Sequence, residues 1–324
     1  MSDARTLRIG TRGSRLALWQ AHHVAGRLQA AWPHLRLETV PFQTTGDRVD
    51  DVPLPRIGDR GLFTRDIEDG LRAGDIDLAV HSLKDLPTAA SVGLMLGAVL
   101  PREDPREALV SASGKALGAL ERGARIGTSS LRRRAQVLAL RPDLEVVDIR
   151  GNVPTRIEKV TRGAYDGILL ACAGLNRLGL RDRAAEIFDE DTLVPAPGQG
   201  ALAVQIREDD PDLASLMTAL DDGPTHLATM SERMVLAALQ GGCQAPLGAI
   251  ATWQPNGALR LRAVVAAVDS SRLLRSEGEA PVREADEAIA LGKRVADDLR
   301  ALGADRVLAA AREWVAAVNA GDVA

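Results

Sequence analysis

The chain has 324 residues, of which 46% are hydrophobic and 26% charged, so we expect two or three globular domains with ample apolar cores. Only 2% of the residues are aromatic and the net charge is −4. These values argue against a base-stacking surface for nucleic acid and against a general polyanion-binding surface. The chain has no apolar leader and no run of about 18 apolar residues, so we expect a cytoplasmic protein without membrane spans.

The first segment predicts a strand, a turn, a helix and a second strand. Residues 6–10 form a short apolar run, and residues 15–31 carry apolar side chains at helical spacing. Pro33 ends that helix before the next apolar run. This order predicts a parallel β-α-β unit whose sheet is covered by helices.

The same order recurs in the middle of the chain. The tetrapeptide Arg-Ile-Gly-Thr stands at 8–11 and again at 125–128, and each copy leads into a predicted helix, a proline break and a strand. The repetition predicts two α/β lobes of similar construction. Further buried strands are predicted at 75–81 and 165–173, because both are nearly continuous apolar runs.

Two segments rich in proline and glycine, 101–107 and 194–201, predict the passages between the lobes. We therefore expect a discontinuous first lobe (1–100 and 201–219) and a second lobe (101–200).

The last part of the chain, 220–324, predicts a smaller α+β domain. A helix is expected at 226–239, followed by antiparallel strands at 258–269 and 273–279 and by two amphipathic helices at 283–302 and 304–318.

Several common motifs are missing from the sequence. It has no phosphate-binding P-loop, no dinucleotide-binding glycine motif and no His-Glu-x-x-His motif. Its five histidines lack metal-ligand spacing. A nucleotide-dependent or zinc enzyme is therefore disfavoured.

Arginines stand instead beside predicted helix starts. They form three groups with polar residues at the helix starts: Arg12 and Arg15 with Thr11 and Ser14; Arg132, Arg133 and Arg134 with Thr128, Ser129 and Ser130; and Arg150 and Arg156 with Asn152. Arg177 follows a strand. Cations at the positive end of a helix cost about 0.3–1 kcal/mol each, and a bound anion would offset that cost. Because ligands bind at the carboxyl ends of the strands of open α/β sheets, we expect an anionic ligand with several negative groups between the lobes.

A second polar cluster follows the strand at 75–81. It contains His81, Ser82, Lys84 and Asp85, and it ends at Pro87. An ionised Asp85 beside a bound ligand could stabilise a developing positive charge. A surface Lys-Asp turn would explain the local sequence equally well.

The two cysteines lie in different settings. Cys172 is within an apolar run and is interpreted as a small buried residue. Cys243 follows Gly241 and Gly242 in a predicted loop, where a thiol could be a nucleophile, a redox sensor, a covalent anchor or an inert group. The residues alone leave these alternatives open.

Six motifs together resemble the porphobilinogen deaminase family. In chain order they are HSLKDLP (81–87), GTSSLRRR (127–134), RGNVPTR (150–156), AGLNRLG (173–179), PAPGQGA (195–201) and LQGGCQAPLG (239–248). The resemblance implies two lobes like those of type II periplasmic binding proteins, with a small α+β domain. It also implies a monomeric transferase of tetrapyrrole and heme biosynthesis that needs no metal.

The resemblance implies a dipyrromethane cofactor attached to Cys243 by a thioether. Four porphobilinogen molecules would be joined head to tail on it, with loss of ammonia each time. Water would then release hydroxymethylbilane.

The resemblance also implies roles for individual residues, with Asp85 as the catalytic carboxylate. The implied cofactor-binding residues are Lys84, Ser82, Ser14, Thr128, Ser129, Ser130, Arg132, Arg133 and Arg150. The implied substrate-binding residues are Arg12, Arg156, Arg177, Arg133, Gln20 and Phe63.

Two alternatives come from other classes of protein. A non-catalytic two-lobed anion-binding protein would account for the repeated lobes and the arginines, but would leave Asp85 and Cys243 without a purpose. An unrelated transferase with a cysteine nucleophile would lack a visible base.

Overall fold

The computed structural model describes residues 6–44, 64–242 and 245–320. These residues form two compact units. One contains 6–44, 64–103 and 201–226, and the other contains 104–200 with the described residues from 227 onward.

The regular elements of the described chain are strands and helices. In chain order they are β1 (Thr6–Arg12), α1 (Arg15–Ala31), β2 (Arg36–Phe42), α2 (Arg65–Ala73), β3 (Leu78–Ser82), β4 (Leu94–Val99), β5 (Glu107–Ser111), β6 (Arg125–Gly127), α3 (Leu131–Leu140), β7 (Glu145–Val147), α4 (Val153–Thr161), β8 (Gly167–Ala171), α5 (Cys172–Arg177), β9 (Glu186–Ile187), β10 (Leu202–Arg207), α6 (Pro211–Met217), α7 (Gly223–Ala238), β11 (Leu247–Trp253), β12 (Ala258–Ala266), β13 (Leu273–Pro281), α8 (Ala285–Ala301) and α9 (Ala304–Ala320).

Two five-stranded sheets have the same topology. The first has the order β2-β1-β3-β10-β4 and the second has the order β7-β6-β8-β5-β9. In each sheet the first three strands are parallel, and the fourth is antiparallel to both of its neighbours. The prediction of two similar α/β lobes is confirmed.

The repeated strand glycine has a packing role in both lobes. A Cβ atom at Gly10 would overlap the Ile76 side chain, and one at Gly127 would lie 3.0 Å from the side chains of Ile168 and Tyr165. Each sheet therefore needs glycine where β1 or β6 is closely covered, just before the turn into the following helix.

Helix α1 has the predicted bounds, 15–31. The Ser14 side chain accepts a hydrogen bond from the Ala17 N–H (3.2 Å) and caps the helix. Val24 and Leu28 lie on its buried face and pack into the core of the first lobe. The C-cap residue of the helix is Trp32, directly before Pro33.

The last part of the chain forms the predicted α+β domain. Strands β11, β12 and β13 form an antiparallel sheet. Apolar residues of this sheet and of helices α7, α8 and α9 share one core cluster. Strand β11 had not been predicted, although its sequence is an apolar run.

Other element bounds differ from the predictions. The strand predicted at 165–173 stops at Ala171 because helix α5 begins at Cys172. The helix predicted at 226–239 begins three residues earlier, at Gly223. A search of the described helices finds none with the length and hydropathy of a membrane span.

Candidate active site

A pocket in the first lobe lies where β1 and β3 end and α1 begins. Its empty volume is about 420 Å³. The residues that line it are Arg12, Ser14, Leu16, Ala17, Gln20, Thr64, Val80, His81, Ser82 and Asp85. The structure thus brings together five residues of the predicted site, Arg12, Ser14, Gln20, Ser82 and Asp85.

Local contacts fix the floor of this pocket. Gln20 Nε2 donates a hydrogen bond to Ser82 Oγ (2.9 Å), which joins α1 to the end of β3. The next turn, Leu83–Asp85, is a short 3₁₀ helix. Leu83 is fully buried and its N–H donates to the Ala201 carbonyl (3.0 Å), which holds Asp85 at the pocket wall. Lys84 lies on the same turn but does not line the pocket.

Two further polar residues line this pocket. Thr64 is 1% exposed and His81 is 5% exposed. The Thr64 hydroxyl and His81 Nε2 make no hydrogen bond within the described structure. The sequence had placed His81 in the polar cluster without a site role, and Thr64 carries no motif that would have identified it.

Burial, together with the nearby charge of Arg12, lowers the pKa of His81 to about 4. His81 is therefore a neutral imidazole near pH 7.

In the second lobe, the predicted serine and threonine caps lie at the start of α3. Ser130 is the N-cap, and its Oγ accepts from the Arg133 N–H (3.4 Å). Thr128 Oγ1 accepts from the Ser130 N–H (3.2 Å), whereas Ser129 Oγ donates to the Ile149 carbonyl (2.7 Å). All three hydroxyls therefore have a structural role at this turn.

The charges of Arg132 and Arg133 are offset within the protein by Glu107. Arg132 Nη2 donates to Glu107 Oε1 (2.7 Å), and Arg133 donates to Oε2 through Nε (3.0 Å) and Nη2 (2.6 Å). The Glu107 side chain is fully buried. The expectation that a bound anion would offset these cations did not include Glu107, which lies 25 residues before Arg132 and supplies one negative charge to the two guanidinium groups.

The same guanidinium groups also hold backbone carbonyls. Arg132 Nη1 donates to the Val194 carbonyl (2.8 Å), and Arg133 Nη1 donates to the Leu169 carbonyl (3.0 Å). Their predicted ligand contacts would have to use the remaining N–H groups.

A second group of arginines surrounds the start of α4. Asn152 caps this helix by accepting from the Thr155 N–H (3.0 Å). Burial, together with nearby Arg133 and Arg150, lowers the pKa of Arg156 to about 10. Three guanidinium groups close enough to perturb one another favour a negatively charged ligand.

Two other arginines of this lobe, Arg177 and Arg134, contact the backbone. Arg177 is 9% exposed, and its Nη2 donates to the Gly200 carbonyl (2.6 Å). Arg134, to which the sequence gave no role, donates to the Val146 carbonyl (2.5 Å) and lies near Asp148.

Cys243 and Phe63 lie outside the described residues. The chain before Cys243 leaves α7 through Gln240, which has a positive φ of 51°. Cys172 is confirmed as a buried residue, and burial raises the pKa of its thiol to about 12.

Two family models match the chain. The model described as "Porphobilinogen deaminase, dipyromethane cofactor binding domain" matches residues 7–215, and the one described as "Porphobilinogen deaminase, C-terminal domain" matches residues 226–301. The chain is 49% identical to the porphobilinogen deaminase of Syntrophotalea carbinolica, over 95% of this chain and 96% of the relative. It is 46% identical to that of Chlorobaculum parvum, over 94% and 97%.

The solved structures that match the chain have much lower identity. The methionine-binding protein MetQ has a TM-score of 0.42 at 13% identity, covering 69% of this chain and 93% of that chain. A putative periplasmic sulfonate-binding protein SsuA from Methylobacillus flagellatus has a TM-score of 0.41 at 15% identity, covering 74% and 69%.

The family matches confirm the resemblance, the dipyrromethane cofactor and the enzyme class, a transferase that polymerises porphobilinogen in tetrapyrrole biosynthesis. They favour this enzyme over the non-catalytic anion-binding protein and over the unrelated transferase. The chain belongs to the porphobilinogen deaminase family.

Proposed function

We propose that the cofactor is joined to Cys243 through a thioether and that its carboxylates pair with the arginines of the second lobe. The chemistry of the donors fits such a group, since a dipyrromethane with acetate and propionate side chains is a polyanion. The observation that supports this proposal is the grouping of Arg150 and Arg156 at the start of α4 with Arg133 near enough to act on Arg156, because cations grouped in this way are stabilised by carboxylates placed among them.

The cofactor, when bound, supplies the free pyrrole position to which the first porphobilinogen is added. Around it, the proposed contacts divide into two groups. The cofactor contacts are Ser14, Ser82, Lys84, Thr128, Ser129, Ser130, Arg132, Arg133 and Arg150. The substrate contacts are Arg12, Gln20, Phe63, Arg133, Arg156 and Arg177.

Asp85 is the proposed catalytic carboxylate. It stands at the wall of the first-lobe pocket together with Arg12, Ser14 and Gln20. Its negative charge would face the pyrrole N–H and stabilise the positive charge that develops on the substrate ring as ammonia leaves. The hydroxyl, amide and guanidinium groups beside it would orient the substrate carboxylates.

The attachment site is tested by intact mass under denaturing conditions. The purified enzyme should carry an added mass of two pyrrole units, and Cys243→Ser should lack it and have little activity. Cys172→Ala, at the buried second cysteine, is the matched control and should keep the adduct. A full adduct on Cys243→Ser would refute this attachment.

The role of Asp85 is tested by Asp85→Asn, which should keep the adduct but turn over at least about 100-fold more slowly. Asp209→Asn changes an exposed carboxylate in the same unit and should have normal turnover. Near-normal turnover of Asp85→Asn would refute the catalytic role.

We also propose a first domain of 1–100 with 201–219, a second of 101–200 and a third of 220–324, in a monomeric cytoplasmic enzyme. The two five-stranded sheets and the three-stranded sheet support these domains. Light scattering on the eluted enzyme tests the monomer, and fractionation of the native cells tests the compartment. A dimer mass, or recovery of the enzyme outside the cytoplasm, would contradict these proposals.

A further inference from the structure

The backbone turn between β7 and α4 is held by side chains at four carbonyls in succession. Each carbonyl oxygen from Asp148 to Gly151 accepts one side-chain hydrogen bond. The donors are Tyr165 Oη for Asp148 (2.9 Å), Ser129 Oγ for Ile149 (2.7 Å), Lys159 Nζ for Arg150 (3.0 Å) and Arg156 Nε for Gly151 (2.7 Å). Side chains from three separate parts of the second lobe therefore fix the path of this turn.

Two of the four donors lie close together on α4. Arg156 and Lys159 are three positions apart in this helix, so they are neighbours on its surface. Helical side chains lean toward the N-terminus of their helix, so both can reach back to the turn that precedes it. They bond the adjacent carbonyls of Gly151 and Arg150. The buried residues of the same helix pack into a core cluster of the lobe, so both donors start from a fixed backbone.

The third of these donors, Tyr165, has a fixed ring. A Cβ atom at Gly127 would lie 3.0 Å from that ring, so the ring packs closely on β6. The Arg125 guanidinium lies over the ring, 5.8 Å from its centroid. The Tyr165 hydroxyl therefore bonds the Asp148 carbonyl from a defined position.

We propose that Lys159 and Tyr165 are positioning residues for the Arg150 guanidinium and act on it through the backbone of the turn. This inference rests on the proposed function, in which Arg150 pairs with a cofactor carboxylate. Lys159 bonds the carbonyl of Arg150 itself, and Tyr165 bonds the carbonyl two residues before it. A fixed backbone reduces the conformational freedom that Arg150 loses on pairing, so the pair is weaker without these bonds.

The two residues should affect ring addition more than substrate binding. Neither of them lines the pocket that contains Asp85. The proposed cofactor attachment is covalent, so a displaced Arg150 misaligns the cofactor without releasing it. Poor alignment of reacting groups slows the chemical step. We therefore expect kcat to fall while KM for porphobilinogen stays nearly constant.

The test is steady-state kinetics of the adduct-bearing enzyme with porphobilinogen. In Lys159→Met, kcat should fall about tenfold and KM should change by less than about twofold, because a hydrogen bond from a charged donor is lost. Lys159→Arg keeps a cationic donor and should restore kcat. Tyr165→Phe removes only a hydroxyl and should lower kcat by about threefold. The matched control is Lys115→Met, which removes the exposed partner of Glu121 in the same lobe and should have wild-type kinetics.

A double-mutant cycle separates positioning from direct contact of Lys159 with the ligand. In an Arg150→Gln background, Lys159→Met should lower kcat by less than about twofold further, because the group that it positions is already missing. Effects that multiply in the double variant would overturn the inference, as would a raised KM at unchanged kcat. Thermal unfolding and intact mass show whether each variant is folded and carries the adduct. If Lys159→Met does not fold, the cycle of Tyr165→Phe with Arg150→Gln decides the question by the same criterion.

Failure of the inference and failure of the proposed function give different results. Normal kcat in Lys159→Met beside a slow Arg150→Gln enzyme would overturn the inference alone. Normal kcat in an adduct-bearing Arg150→Gln enzyme would refute the proposed role of Arg150, and the inference with it. A wild-type enzyme without the dipyrromethane mass would refute the proposed function itself.

Discussion

The two lobes share a topology but complete their polar groups differently. In the second lobe, Glu107 is buried against Arg132 and Arg133 and pairs with both. In the pocket of the first lobe, Thr64 Oγ1 and His81 Nε2 are buried without partners in the described structure. The Glu107 site thus offsets part of the charge of its arginines, whereas two polar atoms of the first-lobe pocket have no hydrogen-bond partner in the described structure. The contrast holds between these two sites and not between whole lobes, since Arg134 Nε of the second lobe is also buried without a hydrogen bond.

The difference leads to opposite expectations for the two regions. Removing a paired group from the second lobe should destabilise the fold, because its partners remain buried. Removing an unpartnered group from the first lobe should cost little stability.

The largest expected effect is that of Glu107→Gln. It leaves two buried guanidinium groups without their carboxylate, so the free energy of unfolding should fall by about 3–5 kcal/mol. Urea titration followed by circular dichroism measures the change. The control, Glu158→Gln, removes the exposed partner of Arg162 and should change stability by less than about 1 kcal/mol. A loss below about 1 kcal/mol for Glu107→Gln would show that the pair adds no net stability.

The pH dependence of the protein's stability should include a contribution from His81. Because burial holds its pKa at about 4 in the folded protein, against 6.5 as the ordinary value, the unfolded chain binds a proton between these pH values that the native state does not. Stability should therefore fall with decreasing pH across this window, by on the order of 2–3 kcal/mol from this residue.

His81→Gln should remove this part of the pH dependence in urea titrations at pH 6.5 and 4.5. The exposed His22 serves as the control, and His22→Gln should keep the wild-type slope. The same slope in His81→Gln and in the wild type would contradict the assignment.

The two helix caps should have smaller and similar effects. Ser14→Ala removes the acceptor for the Ala17 N–H, and Ser130→Ala removes the acceptor for the Arg133 N–H. Each change should lower stability by about 1 kcal/mol. Urea unfolding of the two variants measures these losses. A large difference between the two losses of unfolding free energy would show that the two caps do not stabilise their helices equally.

The smallest effect on stability is expected for Thr64→Val. The hydroxyl has neither a capping bond nor a buried partner in the described structure, so replacing it with a methyl group of similar size should leave stability unchanged or raise it by up to about 1 kcal/mol. Thermal unfolding of the holoenzyme measures this. A loss greater than about 1 kcal/mol would mean that the hydroxyl has a structural partner and would weaken its contrast with Glu107.

Much of the fold follows from local patterns. The repeated Gly-Thr turns, the apolar strands and the capping serines identify the two lobes, because each is a property of a few neighbouring residues. The end of β8 at Ala171 could not be predicted in this way, since Cys172 and Ala173 continue the apolar run into a buried helix. Arg12, Ser14, Ser82 and Asp85 were found because they follow predicted strands, whereas Gln20 came from the family resemblance alone.

The sequence by itself determined the family, the positions of the arginine-rich turns, and the Asp85 and Cys243 motifs, because these are contiguous patterns of residue types. Only the tertiary structure decided which of these groups the fold already pairs. Glu107 reaches Arg132 and Arg133 across 25 and 26 positions of the chain, and Gln205 reaches Glu68 across 137. Hydrogen bonds and desolvation depend on distances in space. The spacing of residues along the chain does not specify these distances when the residues lie on separate elements.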